Sequence, residues 1–293
     1  MKPPKFEYLR PASIQEAVAA LAAAGEDGKI LAGGQSLVPM LNFRLLNPSV
    51  LIDINRIPGL GEIQEQPDGG LRIGALTRHH ALETSEVVQR LYPVLHAAMQ
   101  QVAHLAIRNR GTIGGSITHA DPAAELPMLM KLLDARITLI SSKGTRIVDA
   151  EDFFLGPLTS EVEENELVTE INLPPLPQGA GWAFEEVARR AGDFALAAVG
   201  VVMHVAQGKV VEARIGVMGV ADTPMRINDA ETILYNQSCD QVTLDEVVDA
   251  VLQAIEPSTD LHASAEYRLH LTEVLVRRAV KTAWQRATGE INE

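Results

Sequence analysis

The sequence predicts an α+β fold in two domains. Before residue 174, apolar residues at helical spacing alternate with short apolar runs typical of strands. Pro174, Pro175 and Pro177 then interrupt the pattern, because proline disfavours helices and internal strands alike. After them, two apolar strands precede two long helical patterns, an order typical of α+β domains. We therefore predict domains at residues 1–177 and 178–293, consistent with roughly 150 residues per domain.

The first domain begins with a helix whose start is encoded locally. Ser13 and Glu16 form a Ser-x-x-Glu capping box, in which each side chain satisfies main-chain donors at the helix start. The predicted elements are, in order, a helix at 13–24, a strand at 29–32, a helical turn at 37–46, strands at 50–54 and 71–75, helices from 77, at 91–107 and at 122–134, a hairpin of 136–140 with 146–148, and a strand at 168–173.

The second domain is predicted to pair two strands and cover them with helices. The apolar runs 194–205 and 210–220 flank a turn at Gly208 and read as neighbouring strands. Helical spacing then predicts helices at 244–255 and 264–287.

Composition and charge exclude several classes of function. The chain has 25 Lys and Arg against 38 Asp and Glu, a net charge of −13, which repels nucleic-acid backbones and anionic membranes. Cys239 is the only cysteine, so an internal disulfide and a cysteine-ligated cluster are excluded. The start lacks the apolar region of a signal peptide, and the longest apolar run, 194–206, is too short to span a bilayer. We expect a cytoplasmic protein.

Two similar double-glycine segments are the main candidates for function. The first, Ala32 to Ser36, follows a predicted strand, and the second, Thr112 to Ser116, lies about 80 residues further on. Glycines let main-chain N–H groups converge on an anion with no Cβ in the way. Neither segment fits the dinucleotide fingerprint GxGxxG or the P-loop. The residues alone leave two interpretations open, structural turns or a site that holds a diphosphate from two sides.

The flanking residues resemble a known family. AGGQSLVPMLNFRLLNP at 32–48 and RNRGTIGGSITHADPAAELP at 108–127 resemble the two FAD-binding signatures of the medium, flavin subunit of molybdenum hydroxylases, which include aerobic carbon monoxide dehydrogenase and xanthine dehydrogenase relatives. The resemblance covers the whole chain. It implies an FAD-binding domain of the vanillyl-alcohol-oxidase/p-cresol-methylhydroxylase type at 1–177, with subdomains of about 1–56 and 57–177, and a smaller C-terminal α+β domain with an antiparallel sheet and helices.

The resemblance also implies which residues bind FAD. It assigns this role to Ala32, Gly33, Gly34, Gln35, Ser36, Leu37, Thr112, Ile113, Gly114, Gly115, Ser116, Glu125, Val168 and Phe194. Phe194 stands where relatives place an aromatic near the isoalloxazine ring, although a core aromatic at the start of a strand is the competing interpretation. The family motif around 184–193 commonly carries a lysine just after the aromatic, whereas this chain has Glu185 and Glu186.

The implied function is electron transfer inside a larger complex. Substrate would be oxidised at a molybdenum cofactor in a large subunit, electrons would pass through 2Fe–2S clusters of a small subunit, and FAD on this chain would deliver them to an external acceptor. The implied assembly is a dimer of heterotrimers, and no residue of this chain is assigned a catalytic or metal-binding role. A self-sufficient FAD-dependent oxidoreductase of the same fold and a flavin-free scaffold are the alternatives.

Other polar clusters favour structural interpretations. His80 and Glu83 are spaced three residues apart on a predicted helix, a geometry that metals use, but a solvated helix start is the simpler interpretation. Asp121 before Pro122 is typical of a capped loop. Arg108, Arg110, Arg189 and Arg190 flank the proposed flavin elements and are candidates for phosphate binding, subunit contacts or surface ion pairs.

Overall fold

A computed structural model describes residues 2–291 and begins with a small parallel sheet. Its elements are β1 (Glu7–Leu9), α1 (Ile14–Ala24), β2 (Gly28–Leu31), α2 (Leu37–Asn42) and β3 (Val50–Asp53), with a 3-10 turn at Gly25–Asp27. β3 lies between β1 and β2 and is parallel to both. Ser13 caps α1 by accepting the Glu16 amide, as the capping box predicts. The buried face of α1 packs on β3.

The middle of the chain forms a five-stranded antiparallel sheet covered by short helices. In chain order its elements are β4 (Ile63–Glu65), β5 (Leu71–Gly74), α3 (His79–Thr84), α4 (Glu86–Leu91), α5 (Pro93–Met99), α6 (Leu105–Arg108), α7 (Ile113–His119), α8 (Glu125–Leu132), β6 (Arg136–Ser141), β7 (Gly144–Asp149), α9 (Ala150–Phe153), β8 (Phe154–Gly156), β9 (Thr159–Ser160) and β10 (Leu167–Leu173). The strand order is β4-β5-β10-β6-β7, and β8 pairs with β9 alone. The predicted hairpin of β6 with β7 is confirmed.

Two predicted helices of this region were wrong in extent. The helix predicted at 91–107 is broken, because Tyr92 leaves helical geometry before Pro93 and Ala103 has a left-handed φ of 44°. The helix predicted from Pro122 begins at Glu125, since the Asp121 carboxylate accepts the Ala123 amide at 2.9 Å and closes a turn first.

The C-terminal part is a four-stranded antiparallel sheet with three helices. Its elements are β11 (Gly181–Ala188), β12 (Ala195–Ala206), β13 (Lys209–Met218), β14 (Met225–Arg226), α10 (Asn228–Leu234), α11 (Gln241–Ala254) and α12 (Ala265–Thr288). The strands follow one another in space, in the order β11-β12-β13-β14. The sequence analysis did not find β11 or α10.

The C-terminal sheet packs on both faces. One face carries buried residues of β12 such as Val199 and Val201 and packs against α10, α11 and α12. The other face carries Ala198 and Val202 and joins the core of the middle region. There the facing glycines Gly200 and Gly216 leave room for α8, because a Cβ on Gly216 would lie 2.7 Å from the Met128 sulfur. This contact brings α8 against the C-terminal sheet.

The helices of residues 2–291 include none with the length and apolar character needed to cross a bilayer.

A glycine at the start of β11 should be essential for this packing. A Cβ on Gly181 would overlap the Ala283 carbonyl of α12, so we expect Gly181→Ala to lower the free energy of unfolding by about 1–3 kcal/mol. Gly156→Ala is the matched control, since no atom lies within 4 Å of its added Cβ. Urea unfolding of both variants measures the difference, and equal midpoints would contradict the packing described for α12.

Candidate functional site

The first glycine loop, residues 32–36, joins the end of β2 to α2. Gly33 is buried, and Gly34 has a φ of 72°, a conformation that side-chain-bearing residues rarely adopt. Gln35 and Ser36 are exposed, and the Gln35 amide donates to the Gly33 carbonyl at 3.1 Å. The loop is therefore a tight turn in which Gly33 is enclosed while Gln35 and Ser36 reach the surface.

The structure brings the two glycine segments together. An added Cβ on Gly33 would lie 2.5 Å from the Arg110 carbonyl oxygen and 2.9 Å from the Gly111 Cα, so the first loop lies directly on the chain that enters the second segment. An added Cβ on Gly115 would lie 4.0 Å from the Ala32 Cβ. The two segments therefore lie against each other, as a site that holds a diphosphate from two sides would require.

Asn55 and Arg78 hold this contact in place. The Asn55 side-chain amide donates to the Ala32 carbonyl at 2.8 Å and to the Asp53 carboxylate at 2.7 Å. Arg78 donates to the Asn55 Oδ1 at 2.6 Å and, through its other terminal nitrogen, to the Arg110 carbonyl. One guanidinium thus ties the first loop, through Asn55, to the chain that precedes the second segment.

A neutral histidine, His79, packs against Gly111 at the contact between the two segments. His79 is buried and donates its main-chain N–H to the Gly111 carbonyl at 3.0 Å. Burial lowers the pKa of its ring to about 4, and the neighbouring Arg108 and Arg78 add to that effect. The ring is therefore uncharged at neutral pH and acts as packing under Gly111.

The first loop offers main-chain donors that the chain itself does not use. The N–H groups of residues 33, 34, 35, 36 and 37 make no hydrogen bond to any atom of residues 2–291. Consecutive unpaired N–H groups in a glycine turn form a concave site for anionic oxygens. The loop therefore fits a phosphate or diphosphate group.

The second segment differs from the first and from its prediction as a loop. Thr112 caps α7, and residues 113–116 form the first turn of that helix. Gly115 donates to the Thr112 Oγ1 at 3.2 Å, Ser116 donates to the Thr112 carbonyl at 3.0 Å, and Gly114 donates to the Ala75 carbonyl at 2.9 Å. Because these amides already have acceptors within the chain, the segment offers a surface without side chains at its two glycines rather than free hydrogen-bond donors.

The two glycines of the second segment have different surroundings. Gly114 is buried, and an added Cβ would lie 2.6 Å from the Ala75 Cβ. Gly115 is exposed. Its added Cβ would lie 2.8 Å from the Thr112 Oγ1 and 4.0 Å from the Ala32 Cβ. Gly114 is therefore required for packing, whereas Gly115 leaves the surface between the two segments open.

Three predicted site residues lie outside this junction. Glu125 begins α8 and is 7% exposed, and burial raises the pKa of its carboxyl to about 8 with a further contribution from Glu186. Val168 is buried in β10, beside a bulge in its pairing with β6. Phe194 precedes β12 and is 63% exposed, so its interpretation as a core aromatic is wrong.

Phe194 is an exposed aromatic that follows a turn packed against the start of α6. An added Cβ on Gly192 would lie 2.8 Å from the His104 ring, which places the turn before Phe194 against the start of α6. α6 itself exposes Leu105 and Ile107. The exposed apolar side chains of α6 stand just before the second glycine segment in the chain.

Most other polar candidates have structural partners. Arg108 forms two hydrogen bonds to Glu83 and donates to the carbonyls of 102 and 103, which stabilises the left-handed turn there. The Nδ1 atom of His80 lies 3.0 Å from Glu83, and residues 2–291 contain no cluster of three metal-ligating side chains. Arg189 contacts His262. The Arg110 side chain is exposed and has no ion-pair partner among the described residues, so it remains available to an anion.

Sequence reasoning missed Asn55 and Arg78. Both are single polar residues that follow strands, and neither belongs to a motif with a recognised spacing. The one local signal was a polar residue directly after the apolar strand that ends at Asp53.

Comparison with known proteins decides the family. Residues 4–176 match the FAD binding domain in molybdopterin dehydrogenase, and residues 182–283 match the CO dehydrogenase flavoprotein C-terminal domain. The chain belongs to the FAD-binding medium subunits of the carbon monoxide dehydrogenase and xanthine dehydrogenase family. The predicted resemblance, the α+β fold, FAD as the cofactor and the assignment to an oxidoreductase are thereby confirmed.

Individual relatives of this medium subunit align along almost its whole length. It is 43% identical to the 6-hydroxypseudooxynicotine dehydrogenase complex subunit alpha of Paenarthrobacter nicotinovorans, covering 98% of this chain and 97% of the relative. It is 40% identical to the carbon monoxide dehydrogenase medium chain of Hydrogenophaga pseudoflava, covering 98% and 99%. A solved structure of the carbon monoxide dehydrogenase of that organism superposes with a TM-score of 0.95 at 41% identity, again over 98% and 99% of the two chains.

The Asn55 bridge should stabilise the medium subunit measurably. Asn55→Ala removes the side-chain partner of the Ala32 carbonyl and of one terminal nitrogen of Arg78, so we expect a loss of about 1–3 kcal/mol in the free energy of unfolding. Asn172→Ala is the control, because the Asn172 side chain donates only to Glu170 two residues away. Urea unfolding compares the two, and a loss no larger than in the control would show that the bridge does not hold the loop.

Proposed function

We propose that this medium subunit transfers electrons within a molybdenum hydroxylase complex. In this proposal its FAD receives electrons from 2Fe–2S clusters of a small partner subunit, which take them from a molybdenum cofactor in a large subunit. FAD supplies the redox chemistry when bound, and this chain positions it and sets its electrostatic surroundings. The unpaired N–H groups of residues 33–37, lying against residues 110–115, are the observation that carries the proposal.

In this proposed site the first loop binds the diphosphate of FAD, and the second segment forms the wall that faces it. The amides of 33–37 donate to the diphosphate oxygens of FAD, with no side chain interposed at Gly33 or Gly34. Thr112, Ile113, Gly114, Gly115 and Ser116 supply the facing wall, and Gly115 allows the diphosphate to approach the main chain. The exposed cation of Arg110 adds a favourable field at the junction. The network of Asn55 and Arg78 fixes the distance between the two sides.

The flavin end of FAD is assigned to the other three predicted residues. Phe194, with the exposed apolar side chains of α6, covers the ring and excludes water from one face. The main chain of Val168 and the carboxyl of Glu125 face the flavin from β10 and α8. α7 packs against both elements, so the diphosphate site and the flavin site are connected through one short helix.

The proposed complex needs partner subunits that hold the iron–sulfur clusters and the molybdenum cofactor. Cys239 is the only cysteine of the sequence, so this chain does not by itself supply the thiolates of a 2Fe–2S cluster, and in this proposal iron and molybdenum are held by the partner subunits. The printed names of relatives, "complex subunit alpha" and "medium chain", support assembly with other subunits. We propose a dimer of heterotrimers in the cytoplasm, with domains at residues 1–177 and 178–293 of this chain.

The substrate is proposed to be selected by the large subunit. The two relatives at 43% and 40% identity are named for 6-hydroxypseudooxynicotine and for carbon monoxide, so similarity in this subunit does not distinguish substrates. Carbon monoxide, N-heterocycles, purines and aldehydes are the candidate classes.

Gly115→Leu tests the proposed diphosphate site with less damage to main-chain packing than a change at Gly33 or Gly114. Gly115 is exposed, but its added Cβ would lie 2.8 Å from the Thr112 Oγ1, so we expect loss of bound FAD from an apoprotein that still unfolds cooperatively, at a urea midpoint lowered by the disturbed helix cap. Flavin absorbance of the purified protein gives the occupancy.

Gly61→Leu is the matched control, because Gly61 is exposed and its added Cβ meets only the Leu76 carbonyl at 3.9 Å. Gly33 and Gly114 are poorer choices, since a Cβ at either position meets neighbouring main chain. Normal flavin content in Gly115→Leu would refute the assignment of this surface.

Purification of the tagged chain from its native source tests the proposed assembly. We expect two other subunits to co-purify with molybdenum and non-haem iron, and denaturation to release all flavin into the supernatant. A purified single chain that oxidises an organic substrate, or flavin that stays attached after denaturation, would favour the self-sufficient oxidoreductase instead.

A further inference from the structure

The Asp53 carboxylate lies where the parallel sheet ends and the first glycine loop begins. Asp53 is the last residue of β3 and pairs with Leu31, the last residue of β2, so both strands end at the edge from which the loop starts at Ala32. The Oδ1 atom of Asp53 accepts the main-chain N–H of Asn55 at 2.9 Å and the Asn55 side-chain amide at 2.7 Å. Its Oδ2 atom accepts the hydroxyl of Tyr8, which comes from β1. Both carboxylate oxygens therefore have donors within the chain.

These contacts determine which way the Asn55 amide faces. An asparagine side chain has a donor end and an acceptor end, whereas an ionised carboxylate only accepts and a guanidinium only donates. Between Asp53 and Arg78, the amide nitrogen of Asn55 must face the carboxylate and its oxygen must face the guanidinium. In that orientation the second N–H of the same nitrogen reaches the Ala32 carbonyl, 2.8 Å away. Asp53 thus directs the hydrogen bond that Asn55 donates to the first loop.

Tyr8 keeps Asp53 in the state that this orientation requires. Burial alone would raise the pKa of the Asp53 carboxyl, but the hydrogen bonds from Tyr8 and Asn55 outweigh that effect and hold the pKa below its ordinary value of 3.8. The bond to Asp53 also raises the pKa of the Tyr8 hydroxyl above its ordinary value of 10, so the hydroxyl keeps its proton at neutral pH. A proton donor faces an ionised acceptor, and such a bond is stronger than one between neutral groups.

We propose that Tyr8 and Asp53 are positioning residues of the cofactor site, which orient Asn55 and thereby hold the first glycine loop in the conformation that presents its free amides. This inference rests on the proposed function, because it takes the amides of 33–37 as the groups that bind the diphosphate. Within residues 2–291, neither side chain forms a hydrogen bond with the loop itself. Their effect therefore reaches the loop through Asn55.

The first loop depends on restraint from outside because its two glycines have no side chains to restrict them. Asn55 supplies this restraint at Ala32, and the close contact with residues 110 and 111 supplies it at Gly33. A loop that is already held in its binding conformation loses less conformational entropy when the ligand binds. Loosening Asn55 should therefore weaken FAD binding without removing any group that contacts FAD.

Tyr8→Phe tests the positioning role with the smallest change. It removes only the hydroxyl of a half-exposed ring, so we expect the full chain to fold normally and its dissociation constant for FAD to rise about fivefold. Tyr267→Phe is the matched control, because Tyr267 is as exposed as Tyr8, at 47%, and its hydroxyl makes no hydrogen bond within residues 2–291. Titration of FAD into each apoprotein, followed by flavin fluorescence, gives the dissociation constants.

Two variants of Asp53 separate its hydrogen bonds from its charge. Asp53→Ala removes both acceptors, and we expect the dissociation constant for FAD to rise about thirtyfold. Asp53→Asn keeps an oxygen that can accept from Asn55, so most of the affinity should return. Removal of a negative charge near the diphosphate would by itself strengthen binding in both variants. Equal or tighter binding in Asp53→Ala would therefore overturn the inference, and Tyr8→Phe decides it should Asp53→Ala fail to fold.

A double-mutant cycle tests whether the effect of Tyr8 passes through Asn55. In the Asn55→Ala background, Tyr8→Phe should leave the dissociation constant for FAD unchanged, because the residue through which Tyr8 acts is already absent. The same fivefold loss in both backgrounds would show that Tyr8 acts independently of Asn55 and would overturn the inference.

The order of the loop in the apoprotein gives a measurement that does not involve FAD. We expect NMR order parameters of the amides of 33–36 near the rigid value of about 0.85 in the wild type and in Tyr267→Phe, and lower values in Tyr8→Phe. Unchanged order parameters in Tyr8→Phe would overturn the inference whether or not FAD binds. A wild-type chain that binds no FAD would refute the proposed function, whereas wild-type affinity in Tyr8→Phe would refute the inference and leave the proposed function intact.

Discussion

The site depends on one close approach of main chain to main chain. Gly33 lies on the carbonyl of Arg110 and the Cα of Gly111, at distances that no side-chain-bearing residue would allow. This approach aligns the end of a strand in the parallel sheet with the start of α7, which belongs to a different part of the fold. Asn55 maintains the alignment with a hydrogen bond to the Ala32 carbonyl, and Arg78 does so with one to the Arg110 carbonyl. The remaining elements of the site follow from the position of α7.

The two double-glycine segments have unlike physical roles despite their similar sequences. In the first, glycine frees main-chain donors, and those donors remain unpaired within the described chain. In the second, Thr112 and Ala75 already accept the amides, and glycine at position 114 serves close packing. In the proposed function, FAD would receive hydrogen bonds from the first segment and room to approach the main chain from the second. Changes in the first segment should therefore remove donors, whereas changes in the second should block the approach of the cofactor.

Local signals were enough to predict part of this arrangement. The capping box at Ser13 and the β6–β7 hairpin depend on residues a few positions apart, and both formed as predicted. The break at Ala103 and the delayed start of α8 depend on Arg108 and on an Asp121 turn, which helical periodicity does not reveal. The family resemblance singled out the two double-glycine segments. It did not predict their bridging by Asn55 and Arg78, because that bridge joins residues far apart in sequence.

In the proposed function, the unpaired amides of the first glycine loop bind FAD. Hydrogen–deuterium exchange of the purified subunit, with FAD removed and then restored, measures this directly at residues 33–37. We expect restored FAD to slow exchange of these amides strongly and to leave exchange in the β6–β7 hairpin unchanged. Exchange at 33–37 that stays equally fast in FAD-saturated protein would contradict it.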